Sequence, residues 1–131
     1  MSEERNLEQI RHMGELWNAG RFDEMFELYD DEIEVVTDPS WPDPSTKGKD
    51  AFIRGNDLWR EAWEKIELDP QRVEASGDKV LVEGVWDTQG AQSGIGGTIP
   101  FGIVLTLRDG LVVRQEWFMD PAEARRVAGL G

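Results

Sequence analysis

The residue types that most often act as nucleophiles or metal ligands are scarce in this chain. It has one histidine, His12, and no cysteine, which excludes disulfides and thiolate metal sites. The carboxylates show no clustered spacing of the kind that holds a metal ion, and no nucleotide-binding fingerprint occurs. We therefore predict no metal and no cofactor, which leaves carboxylates and His12 as the candidate acids and bases.

The chain carries a large negative charge. Fourteen basic residues against 27 acidic ones give a formal net charge of -13. This charge repels nucleic-acid phosphates and anionic lipid headgroups, so we predict neither a nucleic-acid nor a membrane partner. The N-terminus lacks the apolar run of a signal peptide, and no apolar stretch is long enough to span a bilayer. These features predict a cytoplasmic protein.

Side chains at helical spacing predict three helices in the first half of the chain. Gly20 ends the first helix, the second is short, and the third follows a proline-rich loop over residues 38–45. The inward positions are Leu7, Ile10, Met13 and Trp17, then Phe22, Met25, Phe26 and Tyr29, then Phe52, Asn56, Trp59, Trp63 and Ile66. His12 neighbours the inward Met13, a place that favours a surface or boundary imidazole over a chemical role.

Runs rich in β-formers predict an antiparallel sheet in the second half. They span residues 79–88, 98–107 and 111–119, after an earlier strand that ends at Asp38. Asp109-Gly110 is typical of a tight hairpin turn, and Asp120-Pro121 of the cap of a short C-terminal helix. The glycine-rich segment 90–97 precedes a strand instead of a helix, so we interpret it as a connection and not as a phosphate loop.

The order of these elements predicts one α+β domain over residues 1–131. Three N-terminal helices pack on a strongly bent antiparallel sheet, and a short helix closes the chain.

Short motifs follow one another over nearly the whole chain. They are Leu16-Trp17-Asn18-Ala19-Gly20, Tyr29-Asp30-Asp31, Val36-Thr37-Asp38-Pro39, Lys47-Gly48-Lys49-Asp50-Ala51-Phe52, Asp109-Gly110-Leu111-Val112-Val113-Arg114 and Glu116-Trp117-Phe118. Their order and spacing resemble the SnoaL-like branch of the nuclear transport factor 2-like superfamily. The resemblance implies a cone-shaped fold that encloses an apolar pocket. Relatives include ketosteroid isomerases, limonene epoxide hydrolases and polyketide cyclases, so the fold alone does not determine a reaction.

The resemblance also implies two candidate catalytic carboxylates, Asp38 and Glu116. Asp38 matches the general base of ketosteroid isomerases, and Glu116 matches an acidic residue of limonene epoxide hydrolases. The oxyanion donors of the isomerases fall at Met13 and Val104, which cannot donate, so that activity is not expected in its known form. Both carboxylates also have a structural interpretation, because Asp38 precedes a proline and can start a turn, and Arg114 can satisfy Glu116.

Strand alternation extends the predicted site. If Glu116 points into the pocket, Arg114 and Phe118 do so too, while Gln115 and Trp117 face outward or toward a partner. The predicted ligand-binding residues are Met13, Trp17, Trp41, Trp59, Trp63, Trp86, Val104, Arg114 and Phe118.

The predicted ligand is a small, largely apolar organic molecule held in this pocket. Three hypotheses stay open: an enzyme with Asp38 as base and Glu116 as acid, a carrier without chemistry, and a dimeric interaction module. Sheets of this fold commonly dimerise through their outer faces, and Trp117 and Met119 are the predicted outward apolar residues of the last strand. We therefore predict a homodimer.

Overall fold

A computed structural model of the protein describes residues 2–38, 45–61, 63–90 and 96–130. Four helices and six strands lie within these ranges. The helices are α1 (Glu3–Asn18), α2 (Phe22–Phe26), α3 (Lys49–Glu61) and α4 (Pro121–Val127). The strands are β1 (Tyr29–Val36), β2 (Thr46–Lys47), β3 (Trp63–Ser76), β4 (Lys79–Gly90), β5 (Gly96–Arg108) and β6 (Leu111–Phe118).

Local sequence signals begin and end α1. The hydroxyl of Ser2 accepts a hydrogen bond from Arg5 N at 3.2 Å, which caps the first turn. The chain leaves the helix at Gly20, whose φ of 73° is strained for any residue with a Cβ. The buried side of α1 packs against β3 and β4. No helix in the described ranges is long and apolar enough to cross a membrane.

The strands form one curled, mixed sheet in the order β2-β1-β6-β5-β4-β3. All neighbouring strands are antiparallel except β1 and β6, which run parallel, so the prediction of a purely antiparallel sheet is wrong at this pair. The physical reason lies in the connections. Strands β3 to β6 follow one another as neighbours and alternate in direction, whereas β1 joins the sheet through a crossover that includes α3, and only such a crossover permits parallel pairing.

The third helix is shorter than its spacing predicts. It ends at Glu61, and Trp63 and Ile66, predicted to be helical, belong to β3. Strand β3 pairs with β4 along its length, from Trp63 opposite Gly90 to Ser76 opposite Lys79. Such a long ladder of backbone hydrogen bonds outweighs the local helical preference of a few apolar side chains.

The predicted hairpin turn and the predicted cap of the C-terminal helix are both confirmed. Asp109 and Gly110 have positive φ values of 54° and 82°, as a two-residue hairpin turn between β5 and β6 requires. The side chain of Asp120 accepts a hydrogen bond from Ala122 N at 3.0 Å and caps α4, with Pro121 in its first turn.

A close approach of β3 and β4 accompanies the curl of the sheet. The register of the two strands shifts between Pro70 and Arg72. A Cβ on Gly84 of β4 would lie 2.3 Å from the carbonyl oxygen of Asp69, so only glycine fits there. The irregularity bends β3, which turns the far end of the sheet toward the helices.

Helix α4 covers part of the outer, convex face of the sheet. Ala124 and Ala128 form a buried cluster with Leu81 and Val104 of β4 and β5. Gly102 makes this contact possible, because a Cβ at that position would lie 2.6 Å from the Cβ of Ala124. Val104 is therefore fully buried, but against α4 on the outer face.

Candidate functional site

A cavity of about 760 Å³ lies between the concave face of the sheet and helices α1 and α3. Native cores have few voids much larger than a water molecule, so a space of this size is not a packing defect. It falls within the range of sites that hold small organic ligands. The main apolar residues of its wall are Ile10, Met13, Trp17, Met25, Val35, Phe52, Val73, Val82, Trp86, Ile103, Leu105 and Trp117.

Three tryptophans form one side of the cavity. Trp86 lies at the centre, with its ring 5.3 Å from that of Trp17 at an interplanar angle of 61°, and 5.8 Å from that of Trp117 in a stacked arrangement. The ring of Phe101 packs against this group, with its centroid 5.5 Å from that of Trp86 and 5.9 Å from that of Trp117. Rings held by several aromatic neighbours form a rigid wall, and a flat apolar molecule would gain the most contact there.

A buried polar pair interrupts the apolar wall. The Tyr29 hydroxyl donates to Gln115 Oε1 at 3.0 Å, and both side chains line the cavity while remaining about 95% buried from bulk solvent. Burial raises the pKa of the Tyr29 phenol above its ordinary value, because the phenolate would lose its hydration. Tyr29 is therefore neutral at physiological pH. The pair offers one hydroxyl oxygen as acceptor and one amide nitrogen as donor.

The orientation of β6 is the reverse of the sequence prediction. Thr106 pairs with Arg114 but Leu107 pairs with Val112, so Val113 is an extra residue in β6, a β-bulge. Strict alternation from the buried Val112 would have turned Arg114, Glu116 and Phe118 inward. The bulge shifts the alternation by one residue, and Gln115 and Trp117 line the cavity in their place.

The side chains of Glu116 and Arg114 therefore both lie on the outer face of the sheet, next to each other. Arg114 Nε lies 3.2 Å from Glu116 Oε1, and its Nη1 lies 3.0 Å from Glu34 Oε2 of β1. Phe118 packs against the outer cluster of α4, with Val104. The prediction that Glu116, Arg114, Phe118 and Val104 face the pocket is corrected by this arrangement.

Asp38 lies at the edge of the cavity, directly after Thr37, which lines it. Asp38 is partly buried, and its Oδ2 accepts a hydrogen bond from Met119 N at 3.0 Å. This bond ties the end of β1 to the end of β6. The contact agrees with a structural role for the carboxylate.

The other predicted ligand-binding residues divide into two groups. Met13, Trp17 and Trp86 line the cavity. Trp41 lies outside the described residues, and the side chains of Trp59 and Trp63 lie outside the description as well. His12 is exposed on α1, 4.0 Å from Glu15, which is the surface position predicted for it.

Tyr29, Gln115 and Trp117 are cavity residues that the sequence prediction missed. Charged side chains are rarely buried, so the sequence Arg114-Gln115-Glu116 contains a signal: the neutral residue between two charges belongs on the inner face. Tyr29 carried a weaker signal, because its spacing from Phe26 also fits a helix, whereas it begins β1.

The mouth of the cavity lies between α1, α3 and β3. Three exposed arginines, Arg11, Arg54 and Arg72, line it, one from each of these elements. Glu15 is the one carboxylate among the described residues that line the cavity. The described residues contain no group of three or more His, Asp or Glu side chains placed to hold a metal ion.

The sequence model of the SnoaL-like domain family matches residues 10–115, which include all of β1 and the described cavity lining except Trp117. The chain belongs to the SnoaL-like domain family. A search of curated proteins found no match. The family assignment agrees with the cone of helices and curled sheet, which was predicted from the sequence.

Solved structures share the whole fold of this SnoaL-like protein. A nuclear transport factor 2-like protein of unknown function from Burkholderia pseudomallei K96243 is 20% identical, with a TM-score of 0.80 and 98% of each chain covered. A protein assigned as a SnoaL-like polyketide cyclase from Jannaschia sp. CCS1 is 19% identical, with a TM-score of 0.79 and 98% and 94% of the two chains covered.

TerC, crystallised with polyporic acid, is 18% identical to the SnoaL-like chain, with a TM-score of 0.79 and 95% and 98% of the two chains covered. At these identities the three structures establish the fold of the SnoaL-like protein and leave its ligand open.

Proposed function

We propose that this SnoaL-like protein binds a small, largely apolar organic molecule in its cavity. The observation that supports this most directly is the buried Tyr29–Gln115 pair in an otherwise apolar wall. The amide nitrogen of Gln115 makes no hydrogen bond to another residue in the described part of the chain, which leaves it available as a donor toward the cavity. A ligand carbonyl or hydroxyl oxygen would satisfy it.

Trp17 Nε1 and Asn56 Nδ2 also make no hydrogen bond within the described part of the chain, but neither atom has accessible surface, so neither faces the cavity. Of the buried polar pair, Gln115 Nε2 is the donor available to a ligand. This position favours a ligand that carries an acceptor oxygen on an apolar body.

Ligand binding is better supported than a reaction catalysed by Asp38 and Glu116, the predicted pair of acids. Glu116 lies on the outer face in an ion pair with Arg114, where it cannot reach a ligand in the cavity. Tyr29 is held neutral and Gln115 does not titrate, so the polar pair orients a ligand and does not remove its proton.

A steric block tests the proposal. Val82 lines the cavity, whereas Val85 lies on the other face of the same strand and does not line it. We expect Val82→Trp to weaken binding of the neutral fluorescent probe N-phenylnaphthylamine by about tenfold or more, because the indole occupies space that the probe needs. Val85→Trp is the matched control. Equal affinity of both variants for the probe would show that it binds elsewhere and would contradict the proposal.

Acid–base chemistry with Asp38 is the second candidate, because Asp38 directly follows Thr37 of the cavity wall. The substitution Asp38→Asn removes the charge, while its side-chain oxygen can still accept from Met119 N. If Asp38 is a base, this variant binds acceptor-bearing aromatic ketones with wild-type affinity and loses their turnover. Binding without turnover in the wild type identifies a carrier.

A further inference from the structure

We infer that the ligand of this cavity is a planar aromatic acid whose ionised group is received at the mouth by Arg11, Arg54 and Arg72. The inference rests on the proposed function, and it adds the chemical class of the ligand. It depends on the position of the arginines that form no ion pair within the described part of the chain.

The three arginines at the mouth are uncommitted. No ion pair or hydrogen bond joins their side chains to another residue in the described part of the chain, and all three are exposed. Most other described cations are engaged. The residues that pair with carboxylates are Arg21, Lys49, Arg60, Arg114, Arg125 and Arg126.

What distinguishes the three arginines from the other unpaired cations is their common position in the lining of the cavity. With 27 acidic and 14 basic residues, a surface arginine of this protein has many carboxylates that could neutralise it. Only Glu15 shares the described cavity lining with the three arginines, and its nearest ion-pair partner is His12 at 4.0 Å. The lining of the cavity thus contains three arginines and one carboxylate, although the molecule as a whole is strongly negative.

The chemistry of the three arginines suits an anionic group. They belong to α1, α3 and β3, the three elements that surround the opening. A guanidinium presents paired N–H donors that match the two oxygens of a carboxylate. Ion pairing at this exposed place costs little desolvation, whereas an ionised group in the apolar interior would be strongly disfavoured.

The interior determines the rest of the ligand. The stacked Trp86 and Trp117 rings, with Trp17 at their side, form a wall for a flat apolar body. The amide donor of Gln115 suits an oxygen substituent on that body. A ligand with an aromatic core inside and an acidic group outside satisfies both regions.

Two probes that differ by one charged group test this inference. N-phenylnaphthylamine is neutral, and anilinonaphthalene sulfonate has the same aromatic body with a sulfonate, which stands for the acidic group of the ligand. We expect wild-type protein to bind the sulfonate more tightly than the neutral probe, although its net charge of -13 repels anions at long range.

The decisive variant combines Arg11→Gln, Arg54→Gln and Arg72→Gln. We expect its affinity for the sulfonate to fall about tenfold, the loss expected for three exposed charge contacts, with no change for the neutral probe. The matched control combines Arg5→Gln, Lys47→Gln and Arg108→Gln. These three cations are also exposed and without ion pairs in the described structure, they do not line the cavity, and their loss changes the net charge equally.

The probes separate failure of this inference from failure of the proposed function. If wild-type protein binds both probes equally, or if its preference for the sulfonate survives in the mouth variant or disappears equally in the control, the inference is overturned and cavity binding stands. If wild-type protein binds neither probe, the proposed function is overturned together with the inference. Near-ultraviolet circular dichroism of each variant confirms that the fold is retained.

Discussion

Tyr29 is the only tyrosine of the chain, and its phenol lies inside the cavity wall. Its hydroxyl donates to Gln115, and burial disfavours its phenolate. A phenol whose pKa is raised in the folded protein links folding to pH. The ionisation of Tyr29 therefore reports on the environment of the cavity wall.

The pH dependence of stability tests this environment. Below the ordinary tyrosine pKa of 10.0, both the folded and the unfolded chain hold the phenol proton. Above it, the unfolded chain releases the proton while the folded chain keeps it, so stability falls as pH rises. We expect wild-type protein to exceed Tyr29→Phe in unfolding free energy by about 1 kcal/mol at neutral pH, because the substitution leaves Gln115 Oε1 without its donor.

That advantage should shrink as pH rises above 10.0, since only the wild type has a phenol to ionise on unfolding. Urea unfolding of both proteins from neutral pH to about pH 11 measures the difference, and the lysines and arginines they share cancel in the comparison. A constant difference over this range would mean that Tyr29 titrates equally in both states.

Among the elements, β6 shows how a single residue decides which side chains face the ligand. The bulge at Val113 exchanges the two faces of the strand from Arg114 onward. It moves a charged pair to the outer surface and a neutral amide with a tryptophan to the inside. The chemistry available to the cavity therefore depends on one extra backbone residue.

The contact between α4 and the sheet supports a prediction at the same scale. Gly102→Ala places a methyl group 2.6 Å from the Cβ of Ala124, neither of which can move aside without backbone shifts. We expect a loss of about 1–3 kcal/mol in unfolding free energy, the usual cost of overpacking. Urea unfolding measures it.

Gly55→Ala provides the control for that substitution. Gly55 lies within α3, and a Cβ there meets no atom within 4 Å. The same change should stabilise the protein by about 0.5–1 kcal/mol, because alanine is the better helix former. If both variants were equally stable, the close packing of α4 on Gly102 would not contribute to folding.

At the scale of the whole molecule, we expect a homodimer formed through the outer face of the sheet. Trp117, one of the two residues predicted for the interface, lines the cavity and is unavailable. Met119, the other predicted residue, follows the last residue of β6 and keeps 39% of its surface exposed. Sedimentation velocity at micromolar concentration should give the mass of two chains, and Met119→Glu should shift the equilibrium toward one. A wild-type mass of one chain would contradict the prediction.

The distribution of charge at this scale has a direct consequence for ligand binding. The net charge of -13 is carried by the surface, while the cavity wall is neutral and its mouth is lined by three arginines. A ligand thus meets three arginines and one carboxylate in the cavity lining of a strongly negative molecule. The field of distant surface charges is screened within about 10 Å at ordinary ionic strength, so the groups at the mouth determine the final approach.

The sequence by itself determined most of the elements and several of their ends, but neither β2 nor β3. Apolar spacing placed α1 and the side chains of Met13 and Trp17 that line the cavity. Turn and cap residues placed the hairpin at Asp109 and the start of α4 at Asp120. These features involve residues close together in the chain, where periodicity and hydrogen-bonding preference act locally.

Only the tertiary structure decided which residues of β6 look into the cavity, where α3 gives way to β3, and how the side chain of Asp38 is bound. Each depends on pairing between strands far apart in sequence: β6 with β5 at the bulge, β3 with β4 along its length, and the ends of β1 and β6 at Met119. Because side chains alternate with a period of two, one unpredicted residue in such a pairing exchanges the inner and outer faces. Local sequence preference carries no record of that register.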